Sequence, residues 1–196
     1  MAQGNCYDNI RKAIFSVCAL NEKAITSLIE VFSPAILNKD DYLCRAGDYP
    51  IHLAYICKGI FRSFYKNLKE QEFDKGFYID HMFVLPLPSF IYRKPSFLNL
   101  QAIVTTEILK AKFSAIQNLS EKDPAIKKFM RLLIDREWIV KKELHEASKY
   151  IYNAQTRYQL FHSKYAEYIK LIPPCYIASL LHMSEKQLSK FTSKYN

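Results

Sequence analysis

Six side chains near one end of this 196-residue chain have the chemistry to read a polyanion. They are Glu185, Lys186, Gln187, Ser189, Lys190 and Lys194, within PPCYIASLLHMSEKQLSKFTSKYN. A carboxylate such as that of Glu185 can accept from cytosine N4, an amide such as that of Gln187 can pair with adenine, and lysines reach phosphates. Lys186, Ser189 and Lys190 are mutual neighbours on a helical surface, at three- and four-residue spacing. To act together they need two short helices that cross steeply. Ile177, Leu181, Met183, Leu188 and Phe191 supply the apolar contacts, and Ala178 is the small residue inside the first helix. Ser184 is placed to cap the second helix, and Gln187 completes a capping box if its amide is turned back to the cap. His182 stands in the turn, where a left-handed backbone is needed and histidine tolerates it better than most. Such a helix can enter a major groove with its first turn at base edges. A small helical hairpin that only packs fits the same pattern.

The charge is uneven in the same direction. The chain carries 28 Lys/Arg against 19 Asp/Glu, a net +9. Residues 150–196 hold six basic against two acidic side chains, 122–149 eight against five, and 1–121 fourteen against twelve. A basic terminal module points toward a polyanion, although a solvated basic surface accounts for charge alone. At 49% hydrophobic residues the chain is globular. No stretch approaches the ~18 uninterrupted apolar residues of a membrane helix, and the start lacks a signal core, so a cytoplasmic protein is expected.

Other chemistries find no support in the sequence. Cys6, Cys18, Cys44, Cys57 and Cys175 form no C-x-x-C and are read as reduced, mostly buried thiols. His52, His81, His145, His162 and His182 have no partner at metal spacing. Asp80-His81 comes without a nucleophile motif and reads as a turn. There is no glycine-rich phosphate loop among four glycines. No catalytic residue, metal or cofactor is expected, and the chain does not read as an enzyme.

Residues 7–31 read as helical, with Ile10, Ile14, Val17 and Cys18 on one stripe and Ile25, Leu28 and Ile29 on another. After Pro34, YLCRAGDYP, IHLAYICKGIFRSFYKN, QEFDKGFYID and FLNLQAIVTTEILKAKF are rich in aromatic and β-branched residues. Gly47-Asp48, Gly59 and Pro86/Pro88 punctuate them, which suggests an antiparallel roll or barrel. From Asp123 a stripe of Ile126, Phe129, Met130, Leu133, Val140, Leu144 and Ala147 predicts one helix of about seven turns. Asp123 caps it and Pro124 lies in its first turn. That stripe is either core or the seam of a homodimer; Arg136 and Glu137 interrupt it. Another helix is expected over Gln155–Lys170. The fold class is α+β: an N-terminal antiparallel β-roll in 1–121, a long helix in 122–149, and a helical helix-turn-helix in 150–196.

This order of parts resembles the Crp/Fnr family of transcription regulators over nearly the whole chain. YLCRAGDYPIHLAYICKGIFRSFYK is similar to that family's strand, P-G-D turn and strand ending in x-G, and DPAIKKFMRLLIDREWIVKKELHEAS to its dimerisation helix. The C-terminal match resembles the family's ERY…P…IASYLGI…LSR signature through Arg157-Tyr158, Pro174, Ile177-Ala178-Ser179, Leu181 and Leu188-Ser189. Lys190 stands where the family has an arginine, and lysine lacks the flat two-pronged contact to guanine. The resemblance implies a cyclic-nucleotide-binding-like sensor domain, a homodimer and double-stranded DNA as partner. The family's cyclic-phosphate site aligns with Leu85-Pro86-Leu87 and Ser96-Phe97-Leu98, without its glycine, glutamate and arginine. Pro86 also lacks a backbone donor. Cyclic AMP is therefore not expected to bind. Phe83, Leu85, Pro86, Leu87, Arg93, Ser96 and Phe97 would form the corresponding pocket, either as filled core or around an apolar small-molecule effector. The alternative is a ligand- or partner-binding module of this kind whose helix-turn-helix is only structural.

Overall fold

The computed structural model describes residues 2–136, 146–147 and 150–193. Two helices come first, α1 (Ala2–Val17) and α2 (Glu22–Glu30). The expected run over 7–31 is therefore broken, because the Asn21 side chain accepts from the Ala24 amide and starts a new helix. The strands follow as β1 (Ser33–Leu37), β2 (Tyr42–Cys44), β3 (His52–Lys58), β4 (Phe61–Lys66), β5 (Glu72–Tyr78) and β6 (Phe83–Val84). After α3 (Leu87–Tyr92) come β7 (Asn99–Ala102) and β8 (Thr106–Lys112). The strand pairings among the described residues are all antiparallel, in one sheet of order β1-β8-β3-β6 and another of order β2-β7-β4-β5.

The two sheets close over one apolar interior: Ala54, Ile56 and Ile108 from the first meet Cys44, Phe61, Leu100 and Ala102 from the second. Alternation along β3 turns Leu53 and Tyr55 to the other face. There they join Ile10 and Ile14 of α1, Ile25 and Leu28 of α2, and Ile126, Phe129 and Leu133. The last three belong to α5 (Pro124–Ile134), which follows α4 (Phe113–Lys122) and is capped by Asp123. At Gly59 (φ +128°) an added Cβ would collide with the side chain and backbone of Thr106, so this turn between β3 and β4 requires glycine.

Two sequence expectations need correction. The α5 stripe is not a free seam: Ile126, Phe129, Met130 and Leu133 are buried within one chain, with Phe129 edge-on to Phe83 at 6.2 Å. Its continuation, including Val140 and Leu144, lies outside the described residues. The cysteines are not all thiols: Cys6 and Cys57 form a disulfide, because α1 crosses β3 and brings their Cα atoms to 5.4 Å. A separation of 51 residues hides that proximity in the sequence. Among the described residues no helix is long and apolar enough to cross a membrane.

Candidate nucleic-acid interface

Three helices make the C-terminal module: α6 (Ala154–Tyr165), α7 (Pro174–Leu180) and α8 (Glu185–Thr192). The turn between α7 and α8 is built by local chemistry. His182 takes a left-handed backbone (φ 51°). Its amide donates to the Ser179 carbonyl and the Met183 amide to the Ala178 carbonyl, which ends α7 in a Schellman motif. Arg157 of α6 braces the same turn, its Nε donating to the Leu181 carbonyl at 3.1 Å. Ser184 then starts α8: the Gln187 amide donates to its Oγ, and its own amide donates to Gln187 Oε1 at 3.0 Å. Leu188 is buried, and Phe191 stacks on Tyr158.

This leaves the broad side of α8 away from Leu188 in solvent. Glu185, Lys186, Gln187, Ser189 and Lys190 are all exposed and share the outward side of the helix. Two of them are partly engaged. Gln187 Oε1 is held by the cap, so a two-pronged pairing with adenine is not available to it. The Ser189 hydroxyl donates to the Lys186 carbonyl. Lys194 lies outside the described residues.

The expected effector residues do not converge. Phe83, Leu85 and Leu87 belong to the cluster under α1, α2 and α5, and Pro86 leads into α3. Ser96 is buried in a turn of its own, its amide donating to the Asp48 carbonyl and its Oγ to the Leu98 carbonyl. Phe97 is exposed and stacks on Tyr65 at 5.6 Å, and Arg93 is exposed with a left-handed backbone. Phe83 lines a cavity of about 230 Å³ between α1, the Asp80-His81 turn and the end of α5, but the other expected residues are not on its wall.

Sequence reasoning missed a second polar centre, where the module meets the roll. Arg62 of β4 is 2% exposed. Its Nε donates to Gln101 Oε1 at 2.9 Å, Nη2 pairs with Glu72 at 2.7 Å, and Nη1 faces Asp74 at 3.6 Å. The guanidinium lies 3.8 Å from the ring centres of both Phe64 and Tyr176, the latter on α7. Burial raises the Asp74 carboxyl to about 6, against the lowering by Arg62 and the Ser179 hydroxyl. Around this node Ile60, Phe77 and Ile103 of the roll join Phe161, Tyr165, Ile177 and Leu181 in one apolar cluster. In the sequence Arg62 reads as an ordinary outward residue of an alternating strand. Tyr176 of α7 covers its guanidinium.

No family model and no curated protein matches the chain. Solved structures do. FixK2 from Bradyrhizobium japonicum superposes with a TM-score of 0.71 at 15% identity, covering 84% of each chain. The c-di-GMP-responsive global regulator CLP of Xanthomonas campestris gives 0.67 at 13% identity, over 89% of this chain and 91% of that one. The Thermus thermophilus catabolite activator protein gives 0.55 at 16%, over 93% and 85%. The chain has the α+β fold of Crp/Fnr-type regulators, a cyclic-nucleotide-binding-like roll followed by a helix-turn-helix.

Proposed function

We propose that this chain is a DNA-binding transcription regulator of the Crp/Fnr type, and not an enzyme. In this reading residues 1–121 are the sensor, 122–149 the dimerisation segment and 150–196 the DNA-reading module. The observation that carries it is α8, a helix capped at both its own start and the preceding turn, whose outward side is polar and cationic. Glu185 and Lys186 in its first turn reach base edges, while Ser189, Lys190 and Lys194 hold the backbone. Two copies in a homodimer would read half-sites about one DNA turn (~34 Å) apart. The homodimer would form through residues 122–149, although Ile126, Phe129 and Leu133 in its described part are buried within their own chain. The sensor does not take cyclic AMP, since Leu85-Pro86-Leu87 and Ser96-Phe97-Leu98 lack the groups that hold its phosphate and ribose. We place the protein in the cytoplasm, where the Cys6–Cys57 bond would be open to reduction.

Salt-dependent binding to duplex DNA tests the reading, because phosphate contacts release counterions. Glu185→Ala or Lys186→Ala should change the sequence recovered by in vitro selection. Lys194→Ala should weaken all duplexes alike and lower the salt slope by about one. If all three variants stay folded with affinity and preference unchanged, α8 is a packing hairpin and the alternative of a ligand- or partner-binding module stands.

A further inference from the structure

Strand β5 is an edge strand, with β4 as its one sheet neighbour. Its free side carries backbone groups that need partners. The helix-turn-helix module supplies them. The Asp74 amide donates to Ser179 Oγ of α7 at 2.8 Å, and the Phe77 carbonyl accepts from the Tyr165 hydroxyl of α6 at 3.2 Å. Beneath that seam lies the buried Arg62–Glu72–Asp74 node, with Tyr176 of α7 as its lid.

Such a seam differs from a permanent core. Charges buried at an interface lose hydration that their attraction repays poorly, so opening the seam to water returns much of what the lost contacts cost. The acids also lie beside the helix that would approach DNA. In a helix-turn-helix complex the first helix crosses the phosphate backbone. Here the first helix, α7, lies against Asp74 and Glu72, and a third of the Glu72 side chain remains exposed. A phosphate strand crossing α7 would meet two carboxylates and the sheet edge.

We propose that the contact between α7 and edge strand β5 is an autoinhibitory latch: it holds the helix-turn-helix module on the roll through the Arg62 node, and duplex DNA competes with it. This rests on the DNA-binding reading above and adds a control to it. The DNA-competent protein is the unlatched one, so its apparent affinity is reduced by the fraction that is latched.

The test uses the full chain and a three-turn, random-sequence duplex at fixed salt. Arg62→Glu sets a third carboxylate beside Glu72 and Asp74. Asp74→Lys sets a second cation against Arg62. The double variant Arg62→Glu/Asp74→Lys restores an opposite pair. Both single variants should bind DNA about tenfold more tightly with unchanged salt slope, and the double variant should return toward the parent. Residue-resolved hydrogen exchange should show the Asp74 amide losing protection in both singles, and in the parent when DNA saturates it. If affinity instead follows the added charge, weaker for Arg62→Glu and tighter for Asp74→Lys, the latch is wrong. An Asp74 amide equally protected in free and DNA-bound parent overturns it too, and needs no variant to fold. If none of the four forms binds DNA, the regulator reading fails and takes the latch with it; binding unaffected by both single changes removes the latch alone.

Discussion

The roll is covered on both outer faces, and the two covers are made differently. On the first sheet, α1, α2 and α5 lay Ile10, Ile14, Ile25, Leu28, Phe129 and Leu133 against Leu53, Tyr55 and Leu109. That seam is apolar and is crossed by a disulfide. On the second sheet, α6 and α7 meet the roll through an apolar patch around Phe77, two hydrogen bonds to the sheet edge and a buried charged node. Non-directional apolar burial gains by every square ångström and gives nothing back to water when opened. A hydrogen-bonded, charged seam is specific in geometry and weaker in net free energy. The same roll thus carries one cover fit to be permanent and one fit to be released.

The largest effect should come from the permanent side. Phe129→Ala removes a ring buried to 1% against Phe83 and should cost about 3–5 kcal/mol in urea unfolding. The exchange of the Asp74 amide below the unfolding transition should not change. Breaking the second staple comes next. Cys6→Ser opens a covalent loop of 51 residues and should lower stability by about 2–4 kcal/mol under oxidising conditions. Under reducing conditions the variant and its parent should unfold alike. If either change loosened the α7–β5 seam as much as its own side, the two covers would be one cooperative unit and the comparison would fail.

The two sides also differ in how legible they were. Apart from the brace by Arg157, the groups that shape the α7–α8 turn lie within a few residues of it. The left-handed His182, the Ser184 cap and its reciprocal bond to Gln187 can therefore be read from spacing. The same locality exposed one conflict, since the Gln187 oxygen cannot serve the cap and an adenine together. The strands and the Asp123 cap were legible for the same reason. What the sequence could not show is which faces meet. The α5 stripe serves core or dimer seam equally well, and only the packing of α1, α2 and the first sheet assigns its described part to core. Arg62 joins Glu72, Asp74 and Gln101 from two neighbouring strands and is covered by a helix more than a hundred residues away, as the Asp74–Ser179 separation of 105 shows. Long-range partnerships of this kind leave no periodic trace.

On the releasable side the effects should be smaller. Tyr165→Phe removes the hydroxyl that donates to the Phe77 carbonyl and leaves the ring in its cluster. The latched state should lose about 1 kcal/mol. Exchange at the neighbouring Asp74 amide should quicken by about fivefold, with global stability nearly unchanged.

The smallest effect, and the one most specific to the charged seam, is its response to protons. Asp74 is faced by Arg62 and Glu72 from the sheet and by Ser179 and Tyr176 from α7, with Lys66 approaching Glu72 at 3.8 Å. Burial outweighs the attraction of Arg62 and sets the Asp74 carboxyl at about 6 in the latched protein. Unlatched and in water it returns toward the ordinary value of about 3.9. The latched state therefore binds the extra proton. Latching strengthens as pH falls through about 6, and the gain levels off once the pH is below the unlatched value. Between pH 8 and pH 6 the latching constant should rise about twofold, and DNA affinity should fall correspondingly. Other changes of surface charge with pH also move DNA affinity. Asp74→Asn separates the two: it keeps those changes and loses the titrating carboxyl. The ratio of parent to variant affinity, followed across that range, should drop as pH falls. A ratio flat with pH would show that Asp74 is paired so well that its proton takes no part, and that the charged seam is as permanent as the apolar one.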